Sequence, residues 1–225
     1  MSDLQDAMRQ RHSVRRYLKA DIPESTRLAL ESFVGEINGQ SGLHVQILWD
    51  EPDCFASPLA HYGHFENCSH YLSMTGPKSM ADLEEKCGYY GERIVLMAQS
   101  LGLNTCWAYL THGKSKAQIC PGEREVIVIA LGIGATQGVP HQGKTPREVS
   151  NLSDDSPDWF RRGIEAALLA PTALNQQKFR LVRSGTEVTA ETTGLGPCLK
   201  IDLGIVKCHF ELAAGREQFR FGTKE

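Results

Sequence analysis

The sequence predicts an α+β chain, and three stretches carry the prediction. Residues 80–101 form a long helix, because their apolar side chains recur at steps of four and three residues and draw one stripe. Residues 126–131 are β-branched and apolar, which is typical of a buried strand. Residues 199–214 form a second helix with an apolar side. The chain therefore mixes helices that cover a core with strands that lie inside it.

The two long helices also indicate a tandem duplication. When Gly88 is aligned with Gly204, Ile94 aligns with Phe210, and further apolar residues coincide. Each half also runs helix, strand, then this helix, so a seam near residue 150 is expected. The predicted domains are one half over residues 1–150 and a second, shorter half over residues 151–225.

The remaining elements follow from local periodicity and from helix start and stop signals. Gly39 after Asn38 predicts the end of the second helix, and Pro171 predicts that another helix stops before it. The expected helices are 2–10, 24–37, one short helix near Lys114, and 158–169; the expected strands are 43–49, 71–74, 105–110, 179–183, 187–191 and 218–221.

Composition narrows the class of protein. The net charge is −3 and the basic residues are scattered, which argues against a nucleic-acid partner. The longest apolar run, 126–135, is too short to span a bilayer, and the opening residues lack a signal peptide, so no membrane partner is expected. The seven cysteines are dispersed and include no C-x-x-C pair, which favours reduced thiols and a cytoplasmic location.

A basic segment follows the first helix, and we call residues Arg11–Tyr17 the basic segment throughout. It places three arginines, a histidine and a serine within seven residues. Guanidinium groups present a rigid fork of donors that matches phosphate, and short polar side chains add further donors. A solvated basic turn is the alternative that composition favours.

Residues 138–145, GVPHQGKT, match the G-x-x-x-x-G-K-[ST] pattern of nucleotide triphosphatases. In that pattern the loop leaves a strand directly, and the Lys and Thr open a helix. Here Gly138 lies several residues after the strand, and only residues 146–151 follow before the composition changes. A triphosphatase is therefore kept as the less favoured alternative.

The segment His61, His64, Cys68 and His70 has the side chains that bind zinc. Its spacing fits no regular metal motif, so a polar loop is favoured and no metal site is predicted.

Residues 170–179, APTALNQQKF, read as a helix end followed by a turn, which we call the amide turn. Asn175 tolerates the positive φ that such turns require. Asn and Gln side chains carry both donors and acceptors, which suits binding to a flat polar ring.

These motifs together resemble the FMN-dependent nitroreductase family. RHSVRRY is similar to that family's RHS/RRS-x-[RK]-x-[FY] opening. The amide turn resembles its A-P-S-x-x-N-x-Q-P-[WF] signature, with Thr172 in place of Ser and Lys178 in place of Pro. Residues 102–107, GLNTCW, are similar to the G-L-G-T-C-W that follows the long helix in the family.

The resemblance implies which residues bind FMN. It assigns the flavin phosphate to the basic segment and to a Lys after the last strand, the reactive edge of the ring to backbone after the long helix, and the ring to the amide turn. These residues are Arg11, His12, Ser13, Arg15 and Lys144 for phosphate; Trp107, Ala108 and Tyr109 for the edge; and Pro171, Thr172, Ala173, Leu174, Asn175 and Gln177 for the ring.

The order of the motifs departs from the usual family pattern. Ordinary members carry the A-P-S segment soon after the basic opening, whereas here it lies in the second half, which lacks a basic opening. This looks like the single-chain branch of the family, in which a tandem duplication mimics the usual dimer and one FMN binds between the halves. The resemblance therefore implies a monomer, with a homodimer left open.

The activity implied is NAD(P)H oxidation, with hydride passed through FMN to a small organic acceptor. Either NADH or NADPH fits as co-substrate, and no side chain is assigned as catalytic acid or base. A flavin-binding protein without activity is the first alternative, because a fold does not guarantee a reaction.

Overall fold

The computed structural model describes residues 2–222. The helices and strands, numbered along the chain, are α1 Ser2–Gln10, α2 Glu24–Ser41, β1 Gln46–Leu48, α3 Pro58–Tyr62, β2 His70–Pro77, α4 Leu83–Ser100, β3 Asn104–Ala108, β4 Glu123–Gly132, α5 Asp158–Ala167, β5 Phe179–Ser184, β6 Glu187–Thr192, α6 Leu199–Ala214 and β7 Arg220–Gly222. Single 3₁₀ turns lie at Asp53–Phe55 and Ala173–Asn175.

The chain folds as two compact units that interleave along the sequence. The first unit contains residues up to Arg9, Glu84–Glu92, and residues from His141 onward. The second unit contains Gln10–Leu83 and Arg93–Pro140. Helix α4 contributes residues to both units. The predicted seam near residue 150 stays a prediction.

The second unit is built on a four-stranded antiparallel sheet with the order β1-β2-β4-β3. The β-branched run predicted as a buried strand is the centre of β4, where Leu72 of β2 lies opposite Ile129. Both side chains are fully buried. A register shift between Met74 and Thr75 marks an irregularity in β2. Consecutive apolar residues of β4 are buried on both faces of the sheet, which explains why this run forms an inner strand.

The first unit combines helices with a smaller sheet of order β5-β6-β7. Strands β5 and β6 are antiparallel, while β6 and β7 are parallel. Phe210 of α6 packs edge-on against Phe160 of α5 and Phe219, with ring centroids 5.9 and 4.9 Å apart. Trp159 stacks on Phe219 at 5.7 Å. An aromatic cluster therefore fills the core of this unit.

Helices α4 and α6 approach each other most closely at two glycines. A Cβ placed on Gly88 would lie 2.0 Å from the carbonyl oxygen of Ile201, and one on Gly204 would lie 2.0 Å from that of Glu85. Neither distance is sterically possible, so these positions require glycine for backbone-to-backbone contact.

Most predicted elements are confirmed, and three local predictions are wrong. No helix forms near Lys114, because the Lys116 amide donates to the Tyr71 hydroxyl and the Gln118 backbone bonds the side chain of Gln46. Helix α2 continues past Asn38 and ends at Gly42, where φ is 72°. The strand expected over 43–49 is only the three residues of β1.

None of the helices within residues 2–222 combines the length and the apolar character needed to cross a membrane.

Candidate functional site

The backbone of the basic segment is fixed beside the sheet of the second unit. The amide of Val14 donates to the carbonyl of Thr105 in β3 at 3.0 Å. The amide of Leu18 donates to the carbonyl of Ile133, just after β4, at 2.8 Å. These bonds hold the backbone of the segment beside β3 and β4.

Two apolar side chains of the basic segment are buried, and two of its polar side chains are exposed. Val14 and Tyr17 are buried, whereas Ser13 and Arg15 are exposed. The Tyr17 hydroxyl donates to the Val14 carbonyl at 2.6 Å, and burial raises the pKa of Tyr17 well above its ordinary value. Val14 and Tyr17 therefore anchor a segment in which the Ser13 and Arg15 side chains face solvent.

Three of the predicted phosphate ligands act on the thiol of Cys106 in β3. Burial raises the pKa of this thiol, while the charge of Arg15, a hydrogen bond with Ser13 and the charge of Arg11 oppose the increase. Arg11 is only 3% exposed, in contrast to Ser13 and Arg15. The Ser13 hydroxyl therefore lies beside Cys106, and the charges of both guanidinium groups reach the same thiol. Guanidinium and hydroxyl donors together suit a phosphate.

His12 lies against the loop that follows β4. Gly138 has a φ of 73°, and a Cβ on it would approach the Cβ of His12 to 2.6 Å. The loop therefore packs tightly against the basic segment only because Gly138 has no side chain. Arg16, which is outside the predicted set, pairs instead with Glu66 at 3.0 Å on the surface.

The residues expected at the flavin edge lie on and just after β3. Trp107 is opposite Ile129, and Ala108 is opposite Val128. Ala108 is fully buried, while Tyr109, one residue beyond the strand, is 45% exposed. Only Tyr109 therefore presents a largely accessible side chain.

The amide turn has an unusual backbone. Leu174, Asn175 and Gln177 have φ values of 54°, 50° and 43°, which non-glycine residues seldom adopt. The Thr172 hydroxyl accepts a bond from the Gln177 amide at 3.0 Å and closes the turn. The side chains of the turn differ in exposure: that of Leu174 is 90% exposed, whereas that of Gln177 is buried. Strained backbone of this kind concentrates at binding sites.

The amide side chains of this turn already have partners in the first unit. The Asn175 side-chain nitrogen donates to the carbonyl of Gln142 at 2.7 Å. The Gln177 side-chain oxygen accepts from the Lys144 amide at 2.6 Å, and the Lys144 ammonium donates to the Gln177 carbonyl at 2.8 Å. The turn and the loop around Lys144 are therefore held together, and Asn175 is the more exposed of the two amides.

Asp202 is a residue that sequence reasoning missed. Its carboxylate accepts from the Ala173 amide at 3.0 and 3.1 Å and from the Gln176 side chain at 2.8 Å. Burial raises the pKa of Asp202 to about 6, against the opposing effect of these two hydrogen bonds. The available signal was an acidic residue between Ile201 and Leu203, inside an apolar stretch.

The histidine and cysteine loop does not gather into a metal site within the described residues. The Cys68 thiol donates to the His70 carbonyl, and the His70 ring accepts from the Asp50 amide. Burial lowers the pKa of His70. His61, Cys68 and His70 instead line an open cavity of about 680 Å³ in the second unit.

Comparison with known proteins identifies the family. The chain matches the family described as "Putative TM nitroreductase" over residues 3–214. A match of this extent covers nearly the whole chain, so the protein belongs to that family. A comparison with curated proteins finds no match.

Solved structures agree on the fold. A protein from Thermotoga maritima described as a "putative nitroreductase" has a TM-score of 0.70 at 22% identity, covering 99% of this chain and 89% of its own. A nitroreductase from Desulfovibrio desulfuricans, solved in complex with FMN, has a TM-score of 0.51 at 20% identity, with coverages of 68% and 98%. A "Putative NADH Oxidase" from Clostridium acetobutylicum has a TM-score of 0.50 at 14% identity, covering 68% of this chain and 100% of its own.

Proposed function

We propose that this protein is an FMN-dependent oxidoreductase that oxidises NADH or NADPH and reduces a small organic acceptor. Membership of the nitroreductase family supports the class of reaction, and FMN is bound in the Desulfovibrio desulfuricans relative. The observation that carries the proposal for this chain is the bonding of the basic segment to β3, where the Val14 amide donates to the Thr105 carbonyl and Ser13 and Arg15 on either side are exposed.

The basic segment fits the phosphate of FMN. Arg11 and Arg15 supply charge, Ser13 supplies a short donor, and His12 lies beside them against Gly138. Charge-assisted hydrogen bonds from guanidinium groups are among the stronger contacts available to a phosphate. We assign phosphate binding to these four residues.

We propose that the amide turn and the residues after β3 bind the ring of the flavin. Asn175 is exposed and carries both a donor and an acceptor, which matches the polar edge of a flavin. Asp202 acts here as a positioning residue, because its carboxylate fixes the Ala173 amide. Lys144 would contribute through its bonds to Gln177, and its predicted phosphate contact stays a prediction.

When bound, FMN supplies hydride chemistry: it takes a hydride from reduced nicotinamide and passes it to the acceptor. The protein's own residues bind and orient the cofactor, and no side-chain proton donor is assigned. The two hydrogen bonds between Lys144 and Gln177 limit the movement of the amide turn. A binding site held in this way keeps its geometry from one turnover to the next.

Anaerobic mixing with NADH or NADPH distinguishes the proposed oxidoreductase from a flavin-binding protein without activity. The proposal expects bleaching of the flavin absorbance, followed by recovery when an organic acceptor such as a nitroaromatic compound is added. A flavin that stays oxidised with both nicotinamides supports the alternative. A colourless protein that binds ATP or GTP would support the triphosphatase.

We also propose that the chain is a tandem duplication that mimics a dimer. Its support is the reciprocal contact of α4 and α6. Ile201, which Gly88 approaches, lies three residues before Gly204, and Glu85, which Gly204 approaches, lies three residues before Gly88. Such an exchange is the signature of a two-fold contact between like elements. Sedimentation analysis tests the resulting expectation of a monomer.

A further inference from the structure

His44, Cys120 and Glu123 form a compact cluster in the second unit. Their ligand atoms all lie within 4.8 Å of one another, and each residue is half-buried. The His44 Nδ1 is 3.0 Å from the Glu123 Oε2. This cluster plays no part in the proposed FMN chemistry, and it joins His44 to two residues that lie more than 75 positions later in the sequence.

We propose that His44, Cys120 and Glu123 bind a Zn²⁺ ion. A thiolate, an imidazole and a carboxylate are the three side-chain types that zinc takes in proteins. Three protein ligands leave one tetrahedral position for water or an added ligand. Hard cations such as Mg²⁺ and Ca²⁺ prefer all-oxygen sites, so the thiol argues against them.

A tight turn brings two of the ligands together. The Glu123 amide donates to the Cys120 carbonyl at 3.0 Å, Pro121 follows Cys120, and Gly122 has a φ of 86°. This combination is the pattern of a type II turn, with Pro and Gly at its central positions. The Cys120 amide also donates to the Glu123 Oε2 at 2.9 Å, which directs the carboxylate toward the cysteine.

The backbones of His44 and Glu123 are fixed by the sheet. His44 donates its amide to the Thr75 carbonyl of β2 at 2.8 Å. Glu123 begins β4 and is paired with Pro77 at the end of β2. Ligands on rigid elements hold a metal with less loss of conformational freedom than ligands on loops.

A side-chain clamp holds the chain that leads to Cys120. The Gln46 side chain donates to the Gln118 carbonyl at 2.9 Å and accepts from the Gln118 amide at 2.9 Å. These paired bonds replace the helix that local sequence predicts near Lys114. The clamp therefore explains why an extended segment brings Cys120 to the edge of β1.

Zinc binding requires small adjustments. Ligand atoms of a tetrahedral zinc site lie roughly 3.3–3.8 Å apart, given metal–ligand bonds of about 2.0–2.3 Å. The widest separation, which is at most 4.8 Å, therefore shortens by no more than about 1–1.5 Å, and the Nδ1–Oε2 separation lengthens slightly. The Cys120 thiol releases its proton to solvent, and the metal replaces the hydrogen bond between His44 and Glu123.

The test uses the full chain with its flavin content as purified, after chelator treatment and dialysis. Equilibrium dialysis against Zn²⁺ should show one zinc per chain. Cys120→Ser and His44→Gln should each weaken binding on the order of 10–100-fold or more. The matched controls are Cys198→Ser, a half-buried thiol of the first unit, and His61→Gln, an exposed histidine of the second unit. Both should bind zinc as the wild type does.

Thiol alkylation gives a local readout at Cys120 itself. Zinc should slow iodoacetamide labelling of Cys120, followed by peptide mass spectrometry, and leave Cys198 labelling unchanged. The protection should disappear in His44→Gln, whose Cys120 thiol is intact. Equal zinc affinity of wild type and Cys120→Ser, or protection that survives His44→Gln, overturns the proposal. Neither outcome bears on FMN binding, so the two proposals are tested separately.

Discussion

The imidazole of His209 and the carboxyl group of Glu92 form a fully buried hydrogen-bonded pair in the first unit, with Nε2 2.9 Å from Oε1. The other ring nitrogen, Nδ1, lies 3.0 Å from the carbonyl oxygen of Ala166. Because a carbonyl only accepts, Nδ1 carries a proton and donates it to Ala166, while Nε2 shares a hydrogen bond with the Glu92 carboxyl group.

Replacing Glu92 by Gln should therefore destabilise the protein strongly. The substitution leaves the His209 ring buried beside a neutral amide, and removing one partner of a buried pair costs about 3–5 kcal/mol. Urea unfolding measures the change. Arg147→Ala, which breaks an exposed pair with Asp154, serves as the control and should leave the free energy of unfolding unchanged. Equal changes in the free energy of unfolding for the two variants would show that the buried pair contributes no more to stability than the exposed one.

The glycines at the crossing of α4 and α6 give a second prediction. Gly88→Ala should lower the free energy of unfolding by about 1–3 kcal/mol or more, because its methyl group would meet the Ile201 carbonyl. Gly204→Ala should behave in the same way. In Gly35→Ala, within α2, nothing lies within 4 Å of the new methyl group, so stability should rise by up to about 1 kcal/mol. A tolerant Gly88→Ala variant would argue against the close approach.

Asp202 predicts a dependence of stability on pH. Its pKa is raised from 3.8 to about 6 in the folded protein, so the folded state keeps the proton that the unfolded state has lost. Stability from this group is therefore full below about pH 4 and declines as the pH rises to about 6, by at most about 3 kcal/mol. Urea unfolding across this range should show the decline in the wild type and a smaller one in Asp202→Asn. Identical slopes would contradict the role of burial.

Arg15 should contribute to flavin affinity. Arg15→Ala removes a charge-assisted contact worth about 1.5–3 kcal/mol, so the Kd for FMN should rise on the order of 10–150-fold. Fluorescence titration of the flavin measures it. Arg16→Ala is the matched control, because Arg16 has the same charge but pairs with Glu66. If both variants bind FMN alike, the assigned phosphate contact is wrong.

Asn175 tests the amide turn separately. Asn175→Gly keeps the positive φ while removing the side-chain amide, so the turn should survive. Weaker FMN binding is expected, together with a loss of about 1 kcal/mol of stability from the missing bond to the Gln142 carbonyl. Unchanged affinity would remove Asn175 from the proposed ring contacts without affecting the assignment of the basic segment.

The sequence predicts those parts of the fold that depend on local pattern. Helix α6 and strands β5 and β6 follow from periodicity, and the family follows from the basic segment and the amide turn. Long-range contacts are not encoded in such patterns. The helix expected near Lys114 is lost to bonds with residues more than 40 positions away in the sequence, including Tyr71.

The same limit applies to the sites. The metal ligands sought among His61, His64, Cys68 and His70 are close in sequence, whereas the cluster in the structure joins His44 to residues beyond 119. Asp202 was overlooked because helix periodicity weighs only the apolar residues around it. Burial of a polar group is a property of the packed chain, and it becomes visible only when its partners are known.

The most direct test of the central claim is the flavin content of the purified protein. FMN released by denaturation should be identified by its absorbance and chromatography and should amount to one molecule per chain. Anaerobic NADH or NADPH should bleach the bound flavin before release. A protein that purifies without flavin and also fails to bind added FMN would contradict the account.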